Sequence, residues 1–177
     1  FVATDDQRIR DVMIEFGAEV IMTSADHASG TDRLAEVSDL LDFDETEILV
    51  NLQGDEPLMP PSNIQQVARL LAQSPHADMS TLMEPLRDAK RSDQSVVKVV
   101  FSDSGRALYF SRAPIPANRD GADAVPMYRH IGLYAYRVGF LRRFVSWPIS
   151  LLEQSESLEQ LRALSRDAYI QIEEAGE

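Results

Sequence analysis

Two adjacent carboxylates, Asp55 and Glu56, stand in the stretch NLQGDEPLMPP, residues 51–61, which directly follows the apolar residues 48–50. The chain therefore leaves a buried strand and presents acid groups on a turn stiffened by prolines. A carboxylate in such a place suits a hard cation that keeps several waters and takes its other ligands from nucleotide phosphates, which describes Mg²⁺ better than Zn²⁺. Spacing alone leaves open the alternative that both acids are turn residues that cap the next element.

The stretch ADHASGTDR, residues 25–33, is a loop of small residues that runs into the start of a predicted helix. Backbone amides at a helix start are free to bind an oxygen-rich ligand, and Arg33 would add a fork of donors. The alternative is structural, with Ser29, Gly30 and Thr31 forming a helix cap and Arg33 solvated in the first turn. The residue types make this segment a candidate ligand site.

A third candidate is RHIGLYAYR, residues 129–137. In a strand, alternate side chains share a face, so this stretch places on one face His130, Gly132, Tyr134 and Tyr136. A histidine and a tyrosine two positions apart along one such face are equipped to bind hydroxyls and a carboxylate. The alternative is a face packed under a helix, with the tyrosine hydroxyls bonded to backbone groups.

Two further sets of polar residues are ambiguous when taken alone. Arg112 follows a predicted strand, and by itself it is interpreted as a surface arginine. The tripeptide LEQ occurs at residues 152–154 and again at 158–160, where it contains Glu159 and Gln160. Glu and Gln are good helix formers, so either copy alone is interpreted as ordinary helix surface.

The elements that must position these residues are predicted from apolar spacing. Helices are expected near residues 9–16, 34–41, 64–71, 140–145 and 155–164. Their expected caps are Asp5 or Asp6, Thr31 and Ser62, with Gly17 ending the first helix. Strands are expected at residues 19–22, 48–52, 79–83, 131–136 and 169–172. The strand at 48–52 is expected to be central, parallel and covered on both faces.

This alternation predicts an α/β, Rossmann-like fold with a mostly parallel sheet. An antiparallel hairpin insertion is expected over residues 96–111, with glycine in its turn, followed by a long loop at 113–127. Ligands of such sheets bind beyond the carboxyl ends of the strands. The chain is also expected to begin within a buried strand, so Asp5, Gln53 and Asp55 all follow predicted strand ends, which locates a site.

Composition narrows the function classes. The chain has 177 residues, 44% of them hydrophobic, which suits a single domain over residues 1–177. A net charge of −12 argues against a nucleic-acid partner, because phosphate binding needs a basic face. No apolar run is long enough to span a membrane, so no membrane partner is expected. Without cysteine there is no thiolate nucleophile and no Cys-based zinc site.

Six segments in order resemble the 3-deoxy-manno-octulosonate cytidylyltransferase family, also called CMP-Kdo synthetases. They are VATD (2–5), ADHASGTDR (25–33), VNLQGDEP (50–57), ALYFSR (107–112), RHIGLY (129–134) and LEQLR (158–162). Each segment alone is weakly specific, but six in sequence are strongly specific. The resemblance covers essentially the whole chain.

The resemblance implies Mg²⁺-dependent transfer of CMP from CTP to the anomeric hydroxyl of Kdo, giving CMP-Kdo and pyrophosphate for lipopolysaccharide synthesis in a Gram-negative bacterium. It assigns Asp55 as metal ligand and, with Gln53, as a catalytic residue. The sugar pocket implied by the family is lined by Gln53, Arg112, His130, Tyr134, Glu159 and Gln160. The cytidine part is implied to lie at Ser29, Gly30, Thr31 and Arg33.

The resemblance also implies a cytoplasmic homodimer, with the hairpin at 96–111 as a candidate subunit contact. Two family features have no counterpart in this sequence: a basic loop that grips the triphosphate and a second metal-binding Asp. We therefore expect an internal fragment that lacks both ends, exposes apolar surface and does not turn over alone.

Two alternatives to the Kdo assignment are carried forward. The first is a cytidylyltransferase for another acidic sugar, such as a sialic acid or an amino-substituted Kdo, whose anomeric carbon also bears a carboxylate. The second is a catalytically dead homologue that acts as an interaction domain. The joint presence of Asp55, Arg112 and His130 argues against the second.

Overall fold

The computed structural model describes residues 1–87, 90–118 and 125–177. Strands and helices alternate through the first half of the chain, as predicted. The strands are β1 (Val2–Thr4), β2 (Val20–Met22), β3 (Ile48–Asn51), β4 (Met79–Pro85), β5 (Lys98–Phe101), β6 (Ala107–Ser111), β7 (Tyr128–Arg137) and β8 (Ile170–Glu174). The helices are α1 (Gln7–Glu15), α2 (Gly30–Leu40), α3 (Pro61–Gln73), α4 (Val138–Ser146), α5 (Leu151–Glu156) and α6 (Gln160–Leu164).

The main sheet is organised around β7, which is the longest described strand. One edge of β7 pairs with β4, and its other partners are β5 near Tyr128 and β3 near Arg137. The order along the sheet is β6-β5-β7-β4-β8, with β3 attached to β7 beside this path. Because β3, β4 and β5 all pair with β7, the segments that flank these strands lie around β7.

The predicted α/β class is confirmed, and the sheet is mixed in direction. Strands β3, β4, β5 and β8 run in one direction, whereas β6 and β7 run in the other. The ladders of β7 are therefore antiparallel, and β8 pairs with β4 in parallel. The expectation that residues 48–52 form a parallel central strand is wrong, because β3 pairs with β7 in antiparallel register.

The N-terminal strands form a separate parallel pair, in which Val2 is opposite Val20. Helix α1 joins them and is capped by Asp6, whose side chain accepts a hydrogen bond from the Arg8 amide at 2.7 Å. The apolar stripe of α1 does not lie against the described core, since Val12 is 49% exposed. No helix among the described residues is long and apolar enough to cross a membrane.

The predicted hairpin is confirmed as β5 and β6, and its turn folds back against β8. Gly105 lies at φ +74°, and its carbonyl accepts a hydrogen bond from the Ile172 amide at 2.8 Å. A Cβ at Gly105 would lie 2.5 Å from Gln171 Nε2 and 2.9 Å from Ile172 O. Glycine is therefore required for both backbone angle and space. Part of the predicted loop that follows the hairpin, residues 119–124, lies outside the described residues.

The alternation predicted for residues 129–137 is confirmed, because β7 separates two hydrophobic clusters. On one face, Ile131, Leu133 and Ala135 pack with Val67 and Leu71 of α3. On the other face, Tyr134 and Tyr136 pack with residues of α4, α6, β5, β6 and β8. The candidate functional site lies on the second face.

Three predicted helix boundaries are wrong for local reasons. Helix α2 is capped by Ser29 rather than Thr31, and α3 begins at Pro61 after Pro60, without a Ser62 cap. The predicted helix at 155–164 is two helices, α5 and α6, because Ser157 adopts a left-handed conformation at φ 52°. This break turns the start of α6 toward β7.

A buried ion pair holds α5 and α6 together. Arg162 donates through Nε and Nη2 to the two carboxylate oxygens of Glu153 at 2.8 and 2.6 Å. Glu153 also completes a capping box with Ser150 at the start of α5. The interpretation of the first LEQ as ordinary helix surface is therefore wrong, since Glu153 is only 9% exposed.

We predict that Arg162→Leu destabilises the protein by about 3–5 kcal/mol, because Glu153 would stay buried without its counter-charge. Arg162 is itself 8% exposed, so solvent screens the pair little. Urea denaturation measures the change. Arg166→Leu is the matched control, since Arg166 is exposed on the next turn. Equal free energies of unfolding for the two variants would contradict a structural role for the ion pair.

Candidate functional site

A cavity of about 530 Å³ lies against the β7 face that carries His130, Gly132, Tyr134 and Tyr136. The other lining residues come from the start of β7, the segment after β3, the segment before β5 and the junction of α5 with α6. They are Gln53, Glu56, Ser95, Val96, Val97, Arg129, Ser157, Leu158, Glu159 and Gln160. Five of the six predicted sugar-pocket residues thus share one cavity: Gln53, His130, Tyr134, Glu159 and Gln160.

A smaller recess of about 220 Å³ adjoins this cavity. The two share Glu56, Arg129, His130 and Gly132. A Cβ built at Gly132 would meet no atom within 4 Å, so the space above this glycine is open. The absence of a side chain at residue 132 therefore widens the floor at the point where the two spaces meet.

His130 is held from below by Thr81, a fully buried residue of β4. Its Nε2 lies 2.9 Å from the Thr81 hydroxyl. The ring of Phe110 stands edge-on to the imidazole, with centroids 4.9 Å apart. Burial, with a smaller contribution from the neighbouring Arg129 charge, lowers the pKa of His130 to about 3. The imidazole is therefore neutral at physiological pH.

The two tyrosines of the floor keep their protons. Burial raises the pKa of Tyr134 well above its usual value, with smaller contributions from Tyr136 and Glu159. Burial also raises the pKa of Tyr136, again with a contribution from the Glu159 carboxylate. Both phenols are consequently hydrogen-bond donors. The floor presents neutral polar groups to its ligand.

Asp55 and Gln53 lie in the turn after β3, where the Glu56 amide donates to the Gln53 carbonyl at 3.1 Å. Gln53 lines the cavity, but Asp55 does not. The Asp55 side chain is exposed and has no hydrogen bond or ion pair within the described part of the chain. Among those same residues, no three His, Asp or Glu side chains gather in a cluster that could hold a metal ion. Asp55 would therefore bind a cation only if a bound substrate or water supplied the other ligands of that cation.

The predicted nucleotide segment forms the start of α2. Ser29 caps the helix by accepting from the Asp32 amide at 3.1 Å. Arg33 is held by an ion pair with Asp5 at 3.0 Å and by hydrogen bonds to Thr23 and the Ser24 carbonyl. The Gly30 amide has no partner within residues 1–87, 90–118 and 125–177. A helix start of this kind can bind an anionic or oxygen-rich group.

A hydrogen bond joins this helix start to the cavity. The Thr31 hydroxyl donates to Glu159 Oε2 at 2.6 Å, and Thr31 is only 2% exposed. Glu159 in turn lies 3.6 Å from Arg162. The predicted nucleotide and sugar residues, 128 positions apart in sequence, are therefore parts of one connected site.

Arg112 is placed differently from the other predicted sugar residues. It does not line the cavity, and its guanidinium donates to the carbonyls of Glu156 at 2.7 Å, Gln94 at 3.0 Å and Ser157 at 3.3 Å. The Arg112 carbonyl itself accepts from buried Lys98 at 2.5 Å. Arg112 thus supports the wall segment that contains Ser157.

Sequence reasoning missed several residues at this site, among them Thr81, Glu56, Arg129 and Ser157. Spacing left Glu56 open between cation binding and turn structure, and the structure places it along both spaces. Thr81 stands beside Ser80 in the stretch MSTLM, and polar residues in an otherwise apolar strand were the available signal. Nothing in the sequence distinguishes Arg129 or Ser157 from surface residues.

Comparison with known proteins identifies the family. The model of the cytidylyltransferase family matches residues 1–172. The 3-deoxy-manno-octulosonate cytidylyltransferase of Hahella chejuensis is 53% identical, and the match covers 99% of this chain and 72% of that protein. Its counterpart in Cellvibrio japonicus is 51% identical, with 98% and 72% covered.

A solved structure of CMP:2-keto-3-deoxy-manno-octonic acid synthetase complexed with CTP superimposes with a TM-score of 0.92. It is 41% identical, and the match covers 98% of this chain and 70% of that one. Agreement in sequence, fold and the order of the site segments leads to one conclusion: the chain belongs to the cytidylyltransferase family.

Proposed function

We propose that this protein transfers CMP from CTP to the anomeric hydroxyl of Kdo, with release of pyrophosphate. The observation that carries the proposal is the hydrogen bond between Thr31 and Glu159, which joins an anion-binding helix start to a polar cavity. Relatives that are 51–53% identical carry the name of this activity. A transferase of this kind needs two adjoining substrate sites, and the two candidate sites adjoin here.

The nucleotide half is built from the start of α2. The helix dipole and the Gly30 and Thr31 amides favour an oxygen-rich or anionic group there. Arg33 is already oriented by Asp5, so little side-chain entropy is lost when it meets a ligand. We assign Ser29, Gly30, Thr31 and Arg33 to CTP.

The sugar half is the cavity floor and the start of α6. The phenol of Tyr134 donates, the carboxylate of Glu159 accepts, and the amides of Gln53 and Gln160 do both. Such a mixture suits a ligand with many hydroxyls. Arg112 engages Nε, Nη1 and Nη2 with one carbonyl each, which leaves two of its five N–H groups for the sugar carboxylate.

In the reaction, the sugar hydroxyl attacks the α-phosphorus, and the bond from that phosphorus to the bridging oxygen of the β-phosphate breaks. Gln53 and Asp55 lie at the strand end that we assign to this step. Because the chain carries a net charge of −12, triphosphate needs a cation beside it. Asp55 fits as the protein ligand of Mg²⁺, since that ion commonly takes one carboxylate, several waters and substrate phosphates. Bound there, Mg²⁺ would neutralise phosphate charge.

The first test is substrate-dependent release of pyrophosphate by the full-length gene product. We expect release with CTP and Kdo, and at least about 10-fold lower kcat/KM with sialic acid or an amino-substituted Kdo, because one mispaired polar group costs about 1–3 kcal/mol. A higher kcat/KM with another acidic sugar would identify that sugar, and not Kdo, as the substrate. No release with any sugar of the panel would favour a catalytically dead homologue.

For Asp55→Asn we expect kcat/KM to fall by at least about 100-fold, because a charge aimed at the reacting phosphates is lost. The substitution should also remove the part of CTP affinity that depends on Mg²⁺, measured by calorimetric titration with and without the ion. Asp167→Asn is the matched control, since Asp167 is an exposed aspartate in the turn after α6. Unchanged Mg²⁺ dependence in Asp55→Asn would remove Asp55 from the metal site.

We also propose a homodimer that uses the hairpin at residues 96–111. Strand β6 is at the end of the sheet path, and Leu108 on it is 56% exposed. Leu108→Glu should shift the full-length protein from dimer to monomer in sedimentation velocity, because a carboxylate would be buried in an apolar contact. Leu151→Glu is the control, as Leu151 is 83% exposed on α5. A dimer that survives Leu108→Glu would place the contact elsewhere.

The cytoplasmic location stays a prediction that cell fractionation tests.

A further inference from the structure

We propose that Thr81 is a positioning residue: its hydroxyl holds His130 in the tautomer that carries the proton on Nε2, which leaves Nδ1 to accept a hydrogen bond from a sugar hydroxyl. The inference rests on the proposed function for the identity of the ligand. The arrangement of Thr81 and His130 itself is a property of the fold.

The first step is the irregular pairing of β4 with β7. Thr81 is opposite Tyr134, but its neighbour Leu82 is opposite Ile131, so Gly132 and Leu133 are extra residues on β7. Such a bulge removes backbone groups from the regular ladder. The Thr81 hydroxyl takes their place, since its oxygen lies 3.1 Å from the Ile131 carbonyl and 2.8 Å from the Leu133 carbonyl.

The second step is a count of protons around the Thr81 oxygen. Carbonyl oxygens only accept, and a hydroxyl has one proton to donate. That proton is directed to Ile131 or Leu133, because otherwise both carbonyls would face an oxygen with no proton between them. His130 Nε2, at 2.9 Å, must then supply the proton of its own contact with Thr81. Thr81 is 0% exposed, so solvent does not compete for these contacts.

The third step concerns the other ring nitrogen. Nδ1 of His130 has no hydrogen-bond partner within the described residues, yet it is absent from the fully buried polar atoms that lack a partner. Nδ1 is therefore accessible, and His130 lines both the cavity and the adjoining recess. Because the ring is neutral, its bare Nδ1 accepts a hydrogen bond from a hydroxyl and repels a carboxylate. His130 thus selects hydroxyl over carboxylate at its position.

The consequence for substrate orientation is specific. The sugar carboxylate belongs on the side of Arg112, and one of the sugar hydroxyls belongs above His130. Gly132 leaves the space for it, since no atom lies within 4 Å of a Cβ built there. Thr81 contributes without touching the substrate, because it determines which atom His130 offers.

The test uses nitrogen-15 NMR of the full-length protein labelled at histidine. The sequence contains two further histidines, His27 and His76. The set of signals that disappears in His130→Gln is therefore assigned to His130. We expect His130 in the unaltered protein to show a protonated Nε2 and an unprotonated Nδ1 at neutral pH. Thr81→Val keeps the side-chain shape and removes the hydroxyl, so the ring should become a mixture of tautomers.

Steady-state kinetics supplies the second readout. Thr81→Val should raise KM for Kdo by about 5–10-fold, the effect of one lost hydrogen bond, while KM for CTP stays within about 2-fold. Thr81→Ser should restore both the tautomer and KM. Urea midpoints confirm that each variant is folded at the assay temperature. A purely structural role for Thr81 would lower stability without moving the tautomer.

Three results would overturn the inference: Nδ1–H in the unaltered protein, a cationic His130 at neutral pH, or a Thr81→Val variant with unchanged tautomer and unchanged KM for Kdo. Failure of the proposed function is a separate result. It would appear as no Kdo-dependent release of pyrophosphate from the unaltered protein, whose tautomer is measured without any substrate.

Discussion

Strand β7 imposes the constraint on which the rest of the structure depends, because it pairs with β4 along one edge and with β5 and β3 on its other side. Each buried backbone group of β7 must find a partner, so three strands are brought to one place. Where the ladder is irregular, at Gly132 and Leu133, the Thr81 hydroxyl contacts the Ile131 and Leu133 carbonyls and donates its one proton to one of them. The same irregularity opens the cavity floor. The irregular pairing of β4 with β7 thus also leaves the open space above Gly132.

Electrostatics separates the site into two parts. The floor is neutral, because burial keeps protons on Tyr134 and Tyr136 and keeps the charge off His130. Charges stand at the rim, on Arg129, on Glu56 and on Glu159 at the start of α6. Neutral donors and acceptors below can bind hydroxyls without a desolvation penalty for charge. Ionic groups of a ligand are left to the rim, where solvent and a bound cation can share them.

Sequence patterns predicted the elements well where burial is one-sided. The two faces of β7 follow strict alternation, and glycine in the turn signalled the hairpin at Gly105. Strand direction was harder, because an apolar run such as residues 48–50 is compatible with either neighbour orientation. Its antiparallel pairing depends on β7, about 80 residues later, and no local signal encodes it. Two of the predicted helix caps were wrong for a similar reason, since Thr31 is hydrogen-bonded to distant Glu159 and Ser62 to distant Glu177.

The site shows the same division between local and distant information. Five sugar-pocket residues were named through the family resemblance, since their own spacing left structural alternatives open, and the structure places all five against one cavity. Arg112 was interpreted as a surface arginine from its position alone and was assigned to the sugar pocket through the resemblance; its guanidinium is held by carbonyls of the wall. Thr81 was missed because its role needs three atoms from another strand, and only the bulge brings them within 3.1 Å. Residues that bind a ligand directly leave a mark in the motif. A residue such as Thr81, which acts by fixing the protonation of a neighbouring side chain, can be identified only when the register of the sheet is known.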